Sequence, residues 1–478
     1  MKWCFLVNQI DILIEFLGKL SCQALKEGDD CLLIFNSKIA EYTKRKFFPK
    51  EIKTISKVDW LAKNYKKDFQ NFGDLSWKEL FPTFDRKSKF LKLDYDNSTK
   101  IVLQLCQFFD FVFRTEKPNL VINEAPANIF SEIAYHYSKK FGITYLGFIG
   151  SRLPKRVDIY DREYTCSRYE RDFKEIDERS ISQDERIFIQ NFIKNFLSHR
   201  KLPPYMDYQM RLSGFGVGRY LKREGKISRH RLEYLSNRKH FEYFDYESES
   251  LLKYNLWYPF NALKRKLRAL SYQKIFNYLN NNDKFFLFPL HLQPEASTSV
   301  LATYFYDQLN SVRNAAFSLP LPYKLYVKEH PSAIGTRPGD FYRKLREIPN
   351  VVLISPFENV ENLIKKSQGV ITLTSTVGLE AALAGKPVYV LGNVFYSYHP
   401  LCRKVNGFEE LKQKIEEDLG KKIIPDNLEN INHRFVISYF RNTIPGDIVA
   451  ASSQNDTNNY KVIYEDIKRI FLSKNGKT

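Results

Sequence analysis

The sequence predicts an α/β protein of two Rossmann-like units with a basic, mostly helical segment between them. Three observations carry that prediction. Residues 1–157 alternate short apolar runs with helix-like spacing, and residues 283–400 do so more regularly. Between them, residues 158–282 are dense in charged and aromatic side chains and lack clear strands. A final stretch, 401–478, ends in a helix-like segment, Tyr460–Leu472, expected to pack back toward the first unit.

In the first unit, Trp3–Val7 and Cys31–Phe35 read as buried strands, with a helix over Ile12–Leu25 between them. Leu120–Ile122 is a third strand that ends at Asn123-Glu124. The helix expected over Asn128–Phe141 is stopped by Gly142, and Ile143–Phe148 is the next strand. In the second unit the strands are Phe285–Phe288, Tyr323–Val327, Val351–Ile354, Val370–Leu373 and Val388–Leu391. Helices are expected over Ser297–Phe317, Val360–Ser367 and Leu379–Ala384.

The chain has 478 residues, enough for two or three domains, and 43% of them are hydrophobic, which argues against large-scale disorder. Lysine and arginine number 74 against 55 acids, a formal charge of +19. Such an excess suits an anionic partner, or reflects a lysine-rich genome. Between Arg200 and His240, eleven cations face three acids. Gly214, Gly216 and Gly218 lie there without a preceding strand, so a loop explains them better than a dinucleotide fingerprint. No nucleic-acid-binding motif accompanies this charge, and nucleic acid is not an expected partner.

The six cysteines are scattered, with neither zinc spacing nor a disulfide framework, as in a reducing cytoplasm. The apolar run at the N-terminus meets Asn8 and Asp11 too soon for a signal peptide, and no run approaches the ~18 residues of a membrane span. A cytoplasmic protein is expected, peripheral at the inner face of the bacterial cell membrane where an anionic surface meets its charge.

Ligands of doubly wound sheets bind beyond the carboxyl ends of the strands. Three polar motifs fall at such ends: His291-Leu292-Gln293-Pro294-Glu295-Ala296-Ser297, Lys328-Glu329-His330-Pro331 and Thr374-Ser375-Thr376-Val377-Gly378-Leu379-Glu380. In the third, Thr374, Ser375 and Thr376 followed by Gly378 offer hydroxyls and backbone N–H groups to an anion at a helix start. The same residues also suit an ordinary N-cap. Glu380 is placed to bond a ribose or to support the first helical turn. His330 can donate to a phosphate, and Lys328, two residues back on the strand, can point to the same side. Glu295 is the carboxylate placed for chemistry at an anomeric carbon, although an acid at a helix N-terminus is also common. Glu124, after a strand of the first unit, is its counterpart there, with the same alternative.

These motifs, together with T-S-T-V-G-L-E-A-A-L-A-G-K-P-V-Y-V-L-G-N-V-F-Y, resemble the capsule polysaccharide biosynthesis family, which includes bacterial β-Kdo transferases. The resemblance spans about Phe285–Tyr396 well, the Glu124 and Phe148–Arg152 regions weakly, and leaves out the basic middle. It implies a GT-B-like fold, with the two units facing a cleft, and a glycosyltransferase. The implied donor is a CMP-activated ulosonic acid such as Kdo, and the implied acceptor is a glycan or lipid-linked glycan. Gln293, Lys328, Thr374, Ser375, Thr376, Gly378 and Glu380 would then bind the donor, with His330 at the phosphate. Glu295, where the family leads one to expect aspartate, would be the nucleophile of a retaining mechanism. The nucleotide sugar is a co-substrate, and neither a cofactor nor a metal is expected. Two other functions share this frame: a UDP-sugar epimerase or hydrolase, and a non-catalytic capsule assembly or export protein.

Overall fold

The computed structural model describes residues 1–8, 11–84, 94–160, 162, 167–198, 244–245, 260–261, 263–265, 267–269, 273–421, 423–453 and 456–474. The glycine cluster at Gly214–Gly218 and the basic stretch around it lie outside these residues. The chain forms two compact units. One holds Met1–Arg162 and Thr443–Thr478, the other Glu163–Leu202 and Leu256–Asn442. Each unit contains its own twisted sheet, so the predicted GT-B-like class of two Rossmann-like units is borne out.

In the first unit, β1 (Lys2–Val7), β2 (Asp30–Phe35), β3 (Lys53–Ser56), β4 (Leu120–Glu124) and β5 (Thr144–Gly150) are parallel, in the order β5-β4-β1-β2-β3. β6 (Arg156–Tyr160) adds antiparallel to β5, and the short strand Ile444–Pro445 adds antiparallel to β6. Strands buried on both faces need apolar side chains throughout, which is why Trp3–Val7 and Cys31–Phe35 read as continuous apolar runs. The helix Asp11–Lys26 and the C-terminal helix Tyr460–Lys474 cover one face. The helices Tyr95–Glu116 and Ile129–Lys140 cover the other. β6 carries strand structure past the expected boundary at 157, and the part of the C-terminal stretch that joins this unit starts at Thr443, not 401.

The second unit has six parallel strands: β7 (Phe285–Pro289), β8 (Lys324–Lys328), β9 (Val351–Ile354), β10 (Val370–Thr372), β11 (Val388–Val390) and β12 (Cys402–Lys404). Their order is β9-β8-β7-β10-β11-β12. Numbered within the unit this is 3-2-1-4-5-6, the order of doubly wound nucleotide-binding sheets. Its switch point lies between β7 and β10.

Two expected helices differ. Ser297–Phe317 is broken into Ala296–Ser299, a single 3-10 turn at Thr303–Phe305, and Gln308–Phe317. Asp307 restarts the helix by accepting the backbone N–H groups of Leu309 (3.0 Å) and Asn310 (3.2 Å). The helix expected from Leu379 begins one turn earlier, at Thr376. Among the described residues no helix is long and apolar enough to cross a membrane.

Candidate functional site at the β7–β10 switch point

At a switch point the chains leaving two neighbouring strands diverge to opposite faces of the sheet and open a crevice. Here the segments leaving β7 and β10 are joined. The Thr374 N–H donates to His291 Nε2 (3.2 Å), Thr374 Oγ1 lies 3.1 Å from the same nitrogen, and Thr374 Oγ1 donates to Ser297 O (2.8 Å). Burial pushes His291 down to about 3, helped by its nearness to His330, with which it would share positive charge, and to the Arg337 guanidinium. It is therefore neutral at physiological pH, and its Nδ1 is buried without a hydrogen-bond partner. His291 stands in the first motif, yet its spacing alone gave it no role; its place two residues beyond the end of β7 was the available signal.

Ser375 is the N-cap of the helix Thr376–Leu383, its hydroxyl accepting the Val377 N–H (3.2 Å). Its own N–H donates to Thr372 Oγ1 (2.9 Å), and the Tyr396 hydroxyl donates to its carbonyl oxygen. Thr376 and Gly378 thus lie inside the first helical turn and not in a loop ahead of it. Gly378 is required by space: a Cβ there would stand 2.5 Å from the Tyr396 oxygen. Gly392, beyond β11, packs as closely, with a Cβ position 2.5 Å from Thr374 Cγ2. The cap, the tyrosine clamp and the two glycines fix the first turn of a helix whose positive dipole end suits an anion, with the Val377 N–H held by Ser375 Oγ and the Gly378 N–H by Ser375 O (3.0 Å). Glu380, one turn in, is buried on this helix and not exposed at its start.

The second motif splits by side. Lys328 is buried and its Nζ donates to Pro356 O (2.8 Å) just beyond β9. Burial pulls it down to about 8, although the charges of Glu329, Glu358 and Glu380 raise it. His330 is half-buried; its Nδ1 accepts the Ser332 N–H (3.1 Å), so the neutral ring carries its proton on Nε2. Burial lowers its pKa as well. His330 is therefore a neutral donor at physiological pH.

Beneath these groups is an ion pair that the spacing did not reveal. Arg337 grips Glu329 with two bonds, Nε to Oε2 (2.9 Å) and Nη2 to Oε1 (2.8 Å), and Nη2 also donates to His291 O (2.8 Å). The two side chains are 5% and 1% exposed. Glu329 further accepts the Tyr342 hydroxyl (2.7 Å) and the His330 N–H (2.6 Å). One buried pair thereby ties the backbone of the first motif to that of the second. Arg337 sits seven residues beyond His330 in an irregular loop, where no periodicity marks it.

Gln293 is held inside its own loop. Its amide nitrogen donates to Tyr306 O (2.8 Å) and Thr298 Oγ1 (3.3 Å), and its oxygen accepts Gln308 Nε2 (2.6 Å). Gln308 also braces His291, accepting its N–H at 2.7 Å and donating to its carbonyl at 3.1 Å. The helix break before Gln308 is what sets this brace. Glu295 precedes the short helix Ala296–Ser299, half-buried, and accepts the Ser297 hydroxyl at 3.3 Å.

Glu124 belongs to the first unit, where it ends β4 beside the β1–β4 switch point of that sheet. Asn8, just past β1, donates to its Oε1 (3.0 Å), and the Tyr145 hydroxyl donates to its carbonyl (3.1 Å). The structure therefore gathers His330, Lys328, Gln293, Glu295 and the Thr374–Glu380 motif in one unit. Glu124 occupies the equivalent topological position of the other.

Several solved structures are similar to this chain. The β-Kdo 2,7 transferase of Thermosulfurimonas dismutans KpsC is 15% identical over 44% of this chain and 62% of that one, with a TM-score of 0.26. The chain thus spans under two thirds of that neighbour. The β-Kdo 2,4 transferase of the same KpsC is 14% identical over 67% and 80%, with a TM-score of 0.37. The S. aureus MnaA–UDP co-structure is 12% identical over 100% and 97%, with a TM-score of 0.28. No curated protein matches the chain. Residues 219–419 match the family described as capsule polysaccharide biosynthesis protein, a span that reaches into the basic middle, which the motif resemblance left out. That match takes in all three motifs of the switch point, so this part of the chain is similar to the capsule polysaccharide biosynthesis family.

Proposed function

We propose that this protein is a glycosyltransferase. It takes a sugar from a nucleotide donor seated beyond β7 and β10 and places it on a capsule or other surface glycan. The observation that carries this reading is the convergence at one switch point of a capped helix N-terminus, Thr376–Leu383, with the His291 and His330 loops. A helix start meets phosphate charge with the positive end of its dipole, and a neutral imidazole donor adds a bond as the leaving phosphate gains charge.

The donor in this proposal is CMP-linked and its sugar an ulosonic acid such as Kdo, which rests on the family and not on any contact in the site. Glu295 is the nucleophile, and Glu124 is the carboxylate that serves the acceptor. No metal is needed, because the positive end of the helix and His330 meet the phosphate charge. The protein works in the cytoplasm at the inner face of the membrane, where lipid-linked acceptors are found.

The test has two parts. A thermal-shift panel of CMP, CDP, UDP and GDP should show selective stabilisation by CMP, since a ligand that binds only the folded state raises the melting temperature. UDP selectivity would overturn the donor assignment and favour an epimerase or hydrolase of a UDP-sugar. Product formation should then collapse in the Glu295→Ala/His330→Ala variant. Near-normal turnover would move the active site elsewhere or point to a non-catalytic assembly role.

A further inference from the structure

Residues 260–261, 263–265 and 267–269 are helical and belong to the second unit. At 3.6 residues per turn, Phe260, Leu263 and Leu267 fall within an arc of about 60°. All three are open to solvent, at 66%, 58% and 59% exposure, an unusual state for three apolar residues on one stripe. Lys264, exposed, follows along one edge of the arc, while Arg268 one turn on donates to Arg337 O (3.5 Å); the sequence from 260 to 269 holds four basic residues and no acid.

The opposite side of the helix is tied down. Arg265 donates from Nε to Ile334 O (3.2 Å) and from Nη2 to Ser332 O, within the loop that follows His330. Gly335, at φ +76°, lets that loop close on the helix, for a Cβ there would stand 2.2 Å from Arg265 O. The arginine that could have hidden the stripe by turning the helix over is spent on the loop, so the stripe is held outward.

We propose that this helix docks the second unit on an anionic lipid bilayer. The apolar arc enters the headgroup–acyl boundary, and Lys264 beside it meets lipid phosphates. Apolar residues on one side with a cation at their edge, and no acid in the run, fit a negative membrane surface. The Arg265 and Gly335 contacts couple the docked helix to the loop beyond His330, so the site is carried to the membrane with it.

The full-length chain should be sedimented with vesicles of phosphatidylcholine alone and of phosphatidylcholine mixed with phosphatidylglycerol. Binding is expected to the mixed vesicles, at least about tenfold stronger than to phosphatidylcholine, and to weaken at high salt. Leu263→Gln/Leu267→Gln should lower it by about tenfold or more through lost apolar burial, with an unchanged melting temperature because both positions are exposed. Lys264→Glu should weaken binding to mixed vesicles only. The proposal is overturned if the wild type binds neither vesicle, binds both equally, or is matched by the leucine variant. It is equally overturned if analytical ultracentrifugation shows a dimer that the leucine variant abolishes, which would assign the arc to a second copy.

Discussion

Replacing Arg337 by methionine probes the join between the first two motifs. The substitution keeps most of the side-chain volume and removes three hydrogen bonds, two to Glu329 and one to His291 O. Glu329 would keep the Tyr342 hydroxyl and the His330 N–H but lose its counter-charge while almost wholly enclosed. Breaking a buried pair from one side costs about 3–5 kcal/mol, because a charge is left in a medium that solvates it poorly. Glu329→Gln/Arg337→Met removes that charge, retains an acceptor for the tyrosine, and should recover at least half of the loss. Amide hydrogen exchange of β7 and β8 reads the change where it arises. At tenfold per 1.4 kcal/mol, the single variant should speed exchange there by about a hundredfold or more. Acceleration below tenfold, or a double variant no better than the single one, would refute the idea that the pair holds the two loops together.

Other expectations follow from the same site. Burial holds His291 at about 3 and His399 at about 4, against ~6.5 unfolded. The unfolded chain therefore binds more protons in between. Stability from these groups is complete above ~6.5 and falls as pH drops toward 4 and 3, by up to about 1.4 kcal/mol per pH unit for each. His291→Gln should flatten the acid limb of a melting-temperature profile, and an unchanged slope would count against a buried neutral imidazole. Gly378→Ala should cost about 1–3 kcal/mol by overpacking against the Tyr396 oxygen, with part of the loss restored by Tyr396→Phe; equal melting of both variants would place the strain elsewhere. Turnover should persist in excess EDTA, and loss reversed by added divalent metal would end the metal-free proposal.

The architecture was legible where strands are buried on both faces and each is followed by a polar turn. All five strands expected in the second unit are present, and each of the three motifs falls at the strand end assigned to it. The helix Tyr95–Glu116 was not legible: between Ile101 and Phe113 it is buried over most of its circumference, so no polar stripe marks its period. β3 was missed because it is a short, half-exposed edge strand. The break inside 297–317 arises from a tertiary need, the Gln308 amide bracing His291 and Gln293, which competes with local helix propensity. Arg337 and His291 escaped as functional residues for a related reason. Their importance is a matter of who meets whom across 46 positions of sequence, which spacing within one segment does not report.

The central claim is that the phosphate of a nucleotide donor sits on the first turn of Thr376–Leu383, within reach of His330. Crystals of the full chain grown or soaked with CMP would locate that phosphate directly. The account predicts it at the start of the Thr376–Leu383 helix, against its dipole end, with His330 Nε2 as a donor. A well-ordered nucleotide whose phosphate lies away from both the helix start and His330 would contradict it.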